Sequence, residues 1–478
     1  MKFIFLVFFS IVSLQIFCQT KSISESKVYS LIDKNAQNLL RNSGATSVSV
    51  GIVKNGKIYT KHYGEIDRGK GNKPNNNTFY EIASVTKIVT GSLLAEAVLN
   101  GKIKLDDDIR MYLKNSYPNL QYKGIPIRIK DLISFESALP RSLPDESSIW
   151  NVKRDENVFL SAKINKEYSK QLFLSDLEKV KLDTIPGTKY NYSNLSLELT
   201  GYILENIYQK DFQELVNENF LIPLKMNHTK FDLDDNEVLA NGYDEKHILM
   251  PHLENNLWGA TGKLKSTTSD LTKLLQYELS DSKIVTESQR NVKQSETHWF
   301  GYFWDRWEIT DKGKFGYKHG GAYGTQTFFS VFPEINLGIC VIVNISAENT
   351  FSNLQSTVLN LAEDLTNQNN QRIYGYKFKG NNIVFSYVHD KKLDSNLISS
   401  ISVAGDFNDW NPENPKYQLV RKSKNKFEIA LPKEDFKKGK IYLFKFVINK
   451  ESWLSPPKNV INTDKAEDIA TLISIFEN

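Results

Sequence analysis

The residues with most chemical potential are Ser84-Val85-Thr86-Lys87, where an extended stretch (residues 78–83) meets an apolar helical pattern (residues 88–99) that stops at Asn100-Gly101. A serine hydroxyl becomes a good nucleophile only when a neighbouring base takes its proton. At a helix start, residues three apart share one face, so the Lys87 amine can reach the Ser84 hydroxyl. Burial and nearby positive charge lower a lysine pKa toward that of a usable base, and the helix N-terminus adds N–H groups that stabilise a developing oxyanion. The same spacing recurs at Ser24, Ser280, Ser423 and Ser455, none of which stands at such a junction. The plainer alternative makes Ser84 a helix cap and Lys87 a solvated charge. Two later clusters weigh against it: Tyr192-Ser193-Asn194 and His319-Gly320-Gly321.

In this order the three clusters resemble the signature motifs of the penicillin-recognising serine hydrolases, which include class C β-lactamases, D,D-peptidases, D-aminopeptidases and related esterases. Local likenesses at residues 129–134, 185–190, 221–226 and 266–271 extend the resemblance over residues 30–365. It implies that Ser84 is the nucleophile, Lys87 its proton acceptor, and Tyr192 the shuttle that protonates the leaving group. Asn194 would hold Lys87 and orient the substrate, Gly320 and Gly321 would let a substrate lie close to their strand, and the N–H of Ala322 would join that of Ser84 in an oxyanion hole. A second Tyr-x-Asn, Tyr117-Pro118-Asn119, is the alternative to Tyr192.

His319 takes the lysine place of a Lys-Thr-Gly motif, as in D-aminopeptidase and esterase members. An imidazole with a pKa near about 6.5 is mostly neutral at pH 7. A substrate carboxylate is then gripped less well, so an ester or D-amino-acid peptide is expected ahead of a β-lactam. Lys318 does not simply restore the charge, since neighbours on a strand face opposite ways. Ser134-Phe-Glu-Ser-Ala-Leu-Pro140 departs from the family's Ser-His-Thr-Ser-Gly-Leu-Pro and leaves Glu136 as either a specificity element or a surface charge.

The elements that must position these residues read as an amphipathic helix at 28–40, a hairpin around Asn55-Gly56, helices through the middle, strands at 299–309, 315–319, 325–332 and 337–343, and a helix at 352–365. Strands at both ends with helices between suit an α+β fold: an antiparallel sheet with a helical insertion, β-lactamase/transpeptidase-like by the resemblance. Residues 19–365 form this domain and the polar run 366–372 a linker. Short strands then fill residues 373–478 and suggest an all-β sandwich. Within it, residues 403–412 and 442–449 with Trp453 resemble the early-set, immunoglobulin-like glycogen-binding module of the AMP-activated kinase β subunit. That likeness implies sugar contacts by Trp410, Lys445 and Trp453, with a packing or docking role as the alternative.

Composition allows large cores, with 478 residues, 40% hydrophobic and 24% charged, and a net charge of +4 gives no ground for nucleic-acid binding. Residues 1–18 read as a secretory signal cleaved after Cys18, with a lipoprotein anchor on Cys18 as the alternative, which places the mature chain outside the cytosol. No later stretch is apolar enough to span a bilayer. Cys340 falls in an apolar strand as a core residue, and the seven histidines form no metal-ligand pattern. No cofactor is expected; the partners are a small ester, peptide or cell-wall fragment, with glycan a candidate for the C-terminal module.

Overall fold

Asn55 and Gly56 both take left-handed φ, 50° and 78°, and so close the hairpin between β1 (Ser47–Lys54) and β2 (Lys57–Gly64). The computed structural model describes residues 23–366, 374–388, 398–423, 425–438, 440–456, 463–465 and 472–477. The chain divides into two compact units at Thr366 and Asn367. The expected signal segment and residues 367–372 of the expected linker lie outside the described residues.

In the first unit, β1 and β2 join β3 (His298–Trp299), β4 (Arg306–Thr310), β5 (Gly313–Gly321), β6 (Gln326–Phe332) and β7 (Leu337–Val343) in one antiparallel sheet. Its order is β2-β1-β7-β6-β5-β4-β3. The continuous strand expected over residues 299–309 is broken, because Gly301 and Phe303 pass through left-handed φ (52° and 68°) and turn the chain out of the ladder.

Strand alternation sorts the sheet into two cores. Ile339 and Val341 face α1 (Glu25–Ser43) and α5 (Thr350–Thr366), packing with Ile32, Leu39, Leu354 and Val358. Cys340 and Ile342 face the opposite core, with residues of α2 (Thr86–Leu99), α3 (Asn194–Tyr208) and α4 (Thr268–Glu278). Helix α2 is apolar on nearly every face and buried from Thr86 to Ala95, as befits a helix inside a core rather than on it.

The second unit has two antiparallel sheets. One orders β8 (Tyr376–Lys379), β9 (Asn382–Val388), β12 (Lys426–Pro432) and β11 (Val420–Ser423); the other orders β10 (Ile401–Gly405), β13 (Ile441–Ile448), β16 (Leu472–Glu477) and β15 (Thr463–Lys465), with β14 (Ser452–Leu454) on β13. Ile383, Phe385, Val403, Phe427, Phe444 and Phe446 form their shared core, the interdigitated interior of a β-sandwich.

Glu278, at the end of α4, is buried in the first unit, and burial pushes its carboxyl up to about 8 from an ordinary 4.5. Between those values the folded chain binds more protons than the unfolded one, so stability falls as pH rises through that window and levels off above it. Glu278→Gln, which copies the neutral acid, should match the natural protein near pH 4.5 and exceed it by roughly 3 kcal/mol at pH 7, read from denaturant midpoints across the range.

Candidate active site

Strand Phe79–Glu81 delivers the chain into a tight 3-10 turn, Ala83–Val85, directly ahead of α2. Ala83 holds φ 43°, a left-handed conformation that costs a non-glycine residue on the order of 1–3 kcal/mol and is kept only where its surroundings enforce it. One enforcer is β5: a Cβ on Gly320 would lie 2.1 Å from the Ile82 carbonyl oxygen. Only glycine lets the strand seat against the turn that presents Ser84.

The Ser84 hydroxyl does not cap the helix. Lys87 Nζ donates to Ser84 Oγ at 2.9 Å, and Tyr192 OH lies 3.1 Å from the same oxygen. Lys87 is fully buried and also donates to the Thr261 carbonyl at 2.6 Å. Burial lowers its pKa and outweighs the upward pull of Tyr192, with Lys318 adding a further, lesser lowering. Burial alone would raise the Tyr192 phenol, but Lys318 and Lys87 outweigh it and bring the phenol below its ordinary value.

Asn194 opens α3 and lines the cleft with Ser84 and Gly321. Its Oδ1 is buried without a hydrogen-bond partner, and the expected hold on Lys87 belongs instead to the Thr261 carbonyl. Tyr117 is buried in the core, and Asn119 donates to the carbonyls of Leu177 and Val180, so this second Tyr-x-Asn is framework.

The third motif needs correction. Register Lys318↔Phe329 and His319↔Phe328 turns the two side chains to opposite faces. It is Lys318, fully buried, whose Nζ sits 5.2 Å from the Tyr192 ring centroid and donates to Asp305 at 2.6 Å. His319 faces away, with Nε2 2.8 Å from Gln326 Oε1 and the ring edge-on to Phe351. Burial lowers its pKa, so the imidazole is neutral. The Ala322 N–H is already spent on Thr325 O at 2.8 Å. Because antiparallel pairs alternate, Gly321 then turns its own N–H away from β6, toward the edge where the His319 N–H meets Asp305. Gly321, rather than Ala322, therefore presents its N–H at the cleft.

Several participants carry no motif. Phe135, where the family motif has histidine, stacks on Tyr192 at 4.7 Å; Ala138, where it has glycine, is left-handed at φ 59°. Glu136 forms an ion pair with Lys293 at 2.6 Å. Buried Glu198, one turn along α3 from Asn194, accepts from the N–H groups of Gly259 and Thr261 at 3.2 and 3.1 Å and so fixes the carbonyl that holds Lys87. Its glutamate could be read from the sequence only as a misplaced charge in an apolar helix.

In the second unit, Trp410 and Trp453 lie with ring centroids 6.1 Å apart, and Trp453 is 42% exposed. Trp453 pairs with Val447, two residues beyond Lys445, so Lys445 shares that face.

If Lys318 helps depress Tyr192, Lys318→Met should raise the Tyr192 phenol pKa. The test is the 13Cζ resonance of labelled tyrosine, assigned with Tyr192→Phe; an unmoved titration would remove Lys318 from the electrostatics of this site.

A family model described as Beta-lactamase matches residues 32–363. The chain is 26% identical over 329 residues to protein flp of Staphylococcus aureus (strain N315), covering 66% of this chain but only 63% of flp. It is 24% identical to the D-alanyl-D-alanine-carboxypeptidase/endopeptidase AmpH of Escherichia coli (strain K12), over 70% of this chain and 89% of that one. The crystal structure of a beta-lactamase/D-alanine carboxypeptidase from Yersinia pestis complexed with citrate shares the fold, with a TM-score of 0.60 and 22% identity over 72% of this chain and 99% of the other.

Proposed function

The chain belongs to the Beta-lactamase family, and on that premise we propose that it is a serine hydrolase working through a covalent acyl-enzyme at Ser84. The observation that carries the reading is the contact of Ser84 Oγ with both a fully buried lysine amine and a tyrosine hydroxyl. Neutral Lys87 takes the Ser84 proton as Oγ attacks a carbonyl carbon. The N–H groups of Ser84 and Gly321 receive the oxyanion. Tyr192 delivers a proton to the departing alcohol or amine, and then helps water attack the acyl-enzyme. Lys318 acts on Tyr192 as a buried charge, neutralised in turn by Asp305.

We place the substrate among esters and D-amino-acid peptides ahead of β-lactams. Lys318 is buried against Asp305 and His319 turns to the far face, so neither motif residue offers a cation to a substrate carboxylate, which would instead meet Arg141, on the cleft wall 5.7 Å from the Tyr192 ring centroid. The related AmpH, by name a D-alanyl-D-alanine-carboxypeptidase/endopeptidase, supports the peptide branch, whose terminal carboxylate would be the group that Arg141 meets. An exported location, from the apolar run at residues 1–18, belongs to the same proposal.

The two tryptophans and Lys445 on one face of the second unit support a second reading, in which that unit binds glycan. Trp410→Ala with Trp453→Ala should abolish retention of the full chain on immobilised glycogen; retention without both rings would refute it.

The acyl-enzyme reading predicts a single fluorophosphonate adduct by intact mass, absent in Ser84→Ala. Lys87 must lose its proton to act, so labelling should be slower at pH 5 than at pH 8. A folded protein that takes no label, or a label that survives Ser84→Ala, rules out this nucleophile.

A further inference from the structure

The cleft that reaches Ser84 encloses ≈ 1170 Å³, far more than a small acyl group fills. Two sets of its lining residues differ in kind: Ser84, Asn194, Thr261 and Gly321 surround the nucleophile, whereas Glu146, Trp150, Ser161, Asn165 and Tyr323 form a hydrogen-bonded cluster of their own. Glu146 accepts hydrogen bonds from Trp150 Nε1 at 2.7 Å, from Ser161 Oγ at 2.8 Å and from Asn165 Nδ2. Tyr323 OH, just past the Gly321 edge, lies 3.0 Å from Ser161 Oγ. A carboxylate offers about four lone-pair positions, so Glu146 is held rigidly with one acceptor position left over.

Trp150 lines the cleft and stays 50% exposed. Its N–H is tied to Glu146, so the indole presents a flat apolar face in a fixed orientation. A flat ring beside an oriented carboxylate, an amide and two hydroxyls is the combination a pyranose requires, with C–H groups to stack and hydroxyls to donate and accept.

We infer that the part of the cleft lining built on Trp150 and Glu146 is a saccharide subsite. If the acyl-enzyme reading holds, the bond broken at Ser84 belongs to a sugar-bearing ester or amide; the subsite itself does not depend on that reading. It is also separate from Trp410 and Trp453, which lie in the other unit.

Calorimetric titration of the full chain decides the matter, in a Ser84→Ala background that blocks turnover and with Trp410→Ala and Trp453→Ala removing the second aromatic surface. Probes are an N-acetylglucosamine tetramer, maltotetraose and an acyl-D-alanyl-D-alanine tripeptide. Saturable binding of one oligosaccharide is expected, weakened at least about tenfold, or about 1.4 kcal/mol, by Trp150→Ala and largely restored by Trp150→Phe. No oligosaccharide binding, or binding indifferent to Trp150→Ala, overturns the inference. So does Trp150-dependent binding of the tripeptide alone, which would assign this cluster to peptide. The readout is affinity in an inactive variant, so a failure of Ser84 to label would leave this result intact, and the reverse holds too.

Discussion

Burying the Lys87 ammonium is the constraint on which the rest of the first unit turns. An isolated ammonium removed from water costs several kcal/mol even after relaxation, and Lys87 is wholly removed from it. Its surroundings must therefore supply acceptors in fixed places. Ser84 Oγ is one and the Thr261 carbonyl another. That carbonyl stays in place because Glu198 binds the N–H groups on either side of Ala260, and Thr90 donates to the Ala260 carbonyl at 2.7 Å. The loop fits only because its neighbours are small: a Cβ on Gly201 would meet Ala260 at 2.9 Å, and one on Gly262 would meet Ala83 at 3.3 Å. The apolar wrapping of α2, the inward glutamate of α3 and the glycine of β5 thus serve one buried amine.

The same demand explains the arrangement of charge. The nitrogens of Lys87 and Lys318 flank one aromatic ring at 5.5 and 5.2 Å from its centroid. Lys318, paired with Asp305, adds to the burial that favours a neutral Lys87 amine, and the same positive charge makes the Tyr192 phenol a readier proton donor.

Much of this was legible in the chain and some was not, for reasons that differ by residue. Asn55-Gly56 and the alternation around it encode the β1–β2 hairpin locally, so it reads correctly. Ser84, Lys87 and Tyr192 are spaced by helix and turn geometry that a motif captures. Lys318-His319-Gly320-Gly321 admits two alignments one residue apart, and a slip of one residue exchanges the faces of a strand. The contacts of Lys318 with Tyr192 and of His319 with Gln326 and Phe351 fix which side faces the cleft. Glu198 and Thr261 act through backbone groups, which leave no trace in residue type. The break between β3 and β4 rests on a left-handed Phe303, a conformation no propensity foretells.

The order of the sheet has a consequence for synthesis. Strand β1 is made early, yet its second neighbour is β7, at Leu337–Val343. Until the ribosome has added nearly three hundred further residues, the β1–β2 hairpin carries a bare row of N–H and C=O groups along one edge. Contacts this distant in sequence slow folding and lengthen the life of partly folded chains. The nascent chain therefore spends most of its elongation with an adhesive strand that no part of itself can yet cover, and it is then that a chaperone has most to protect.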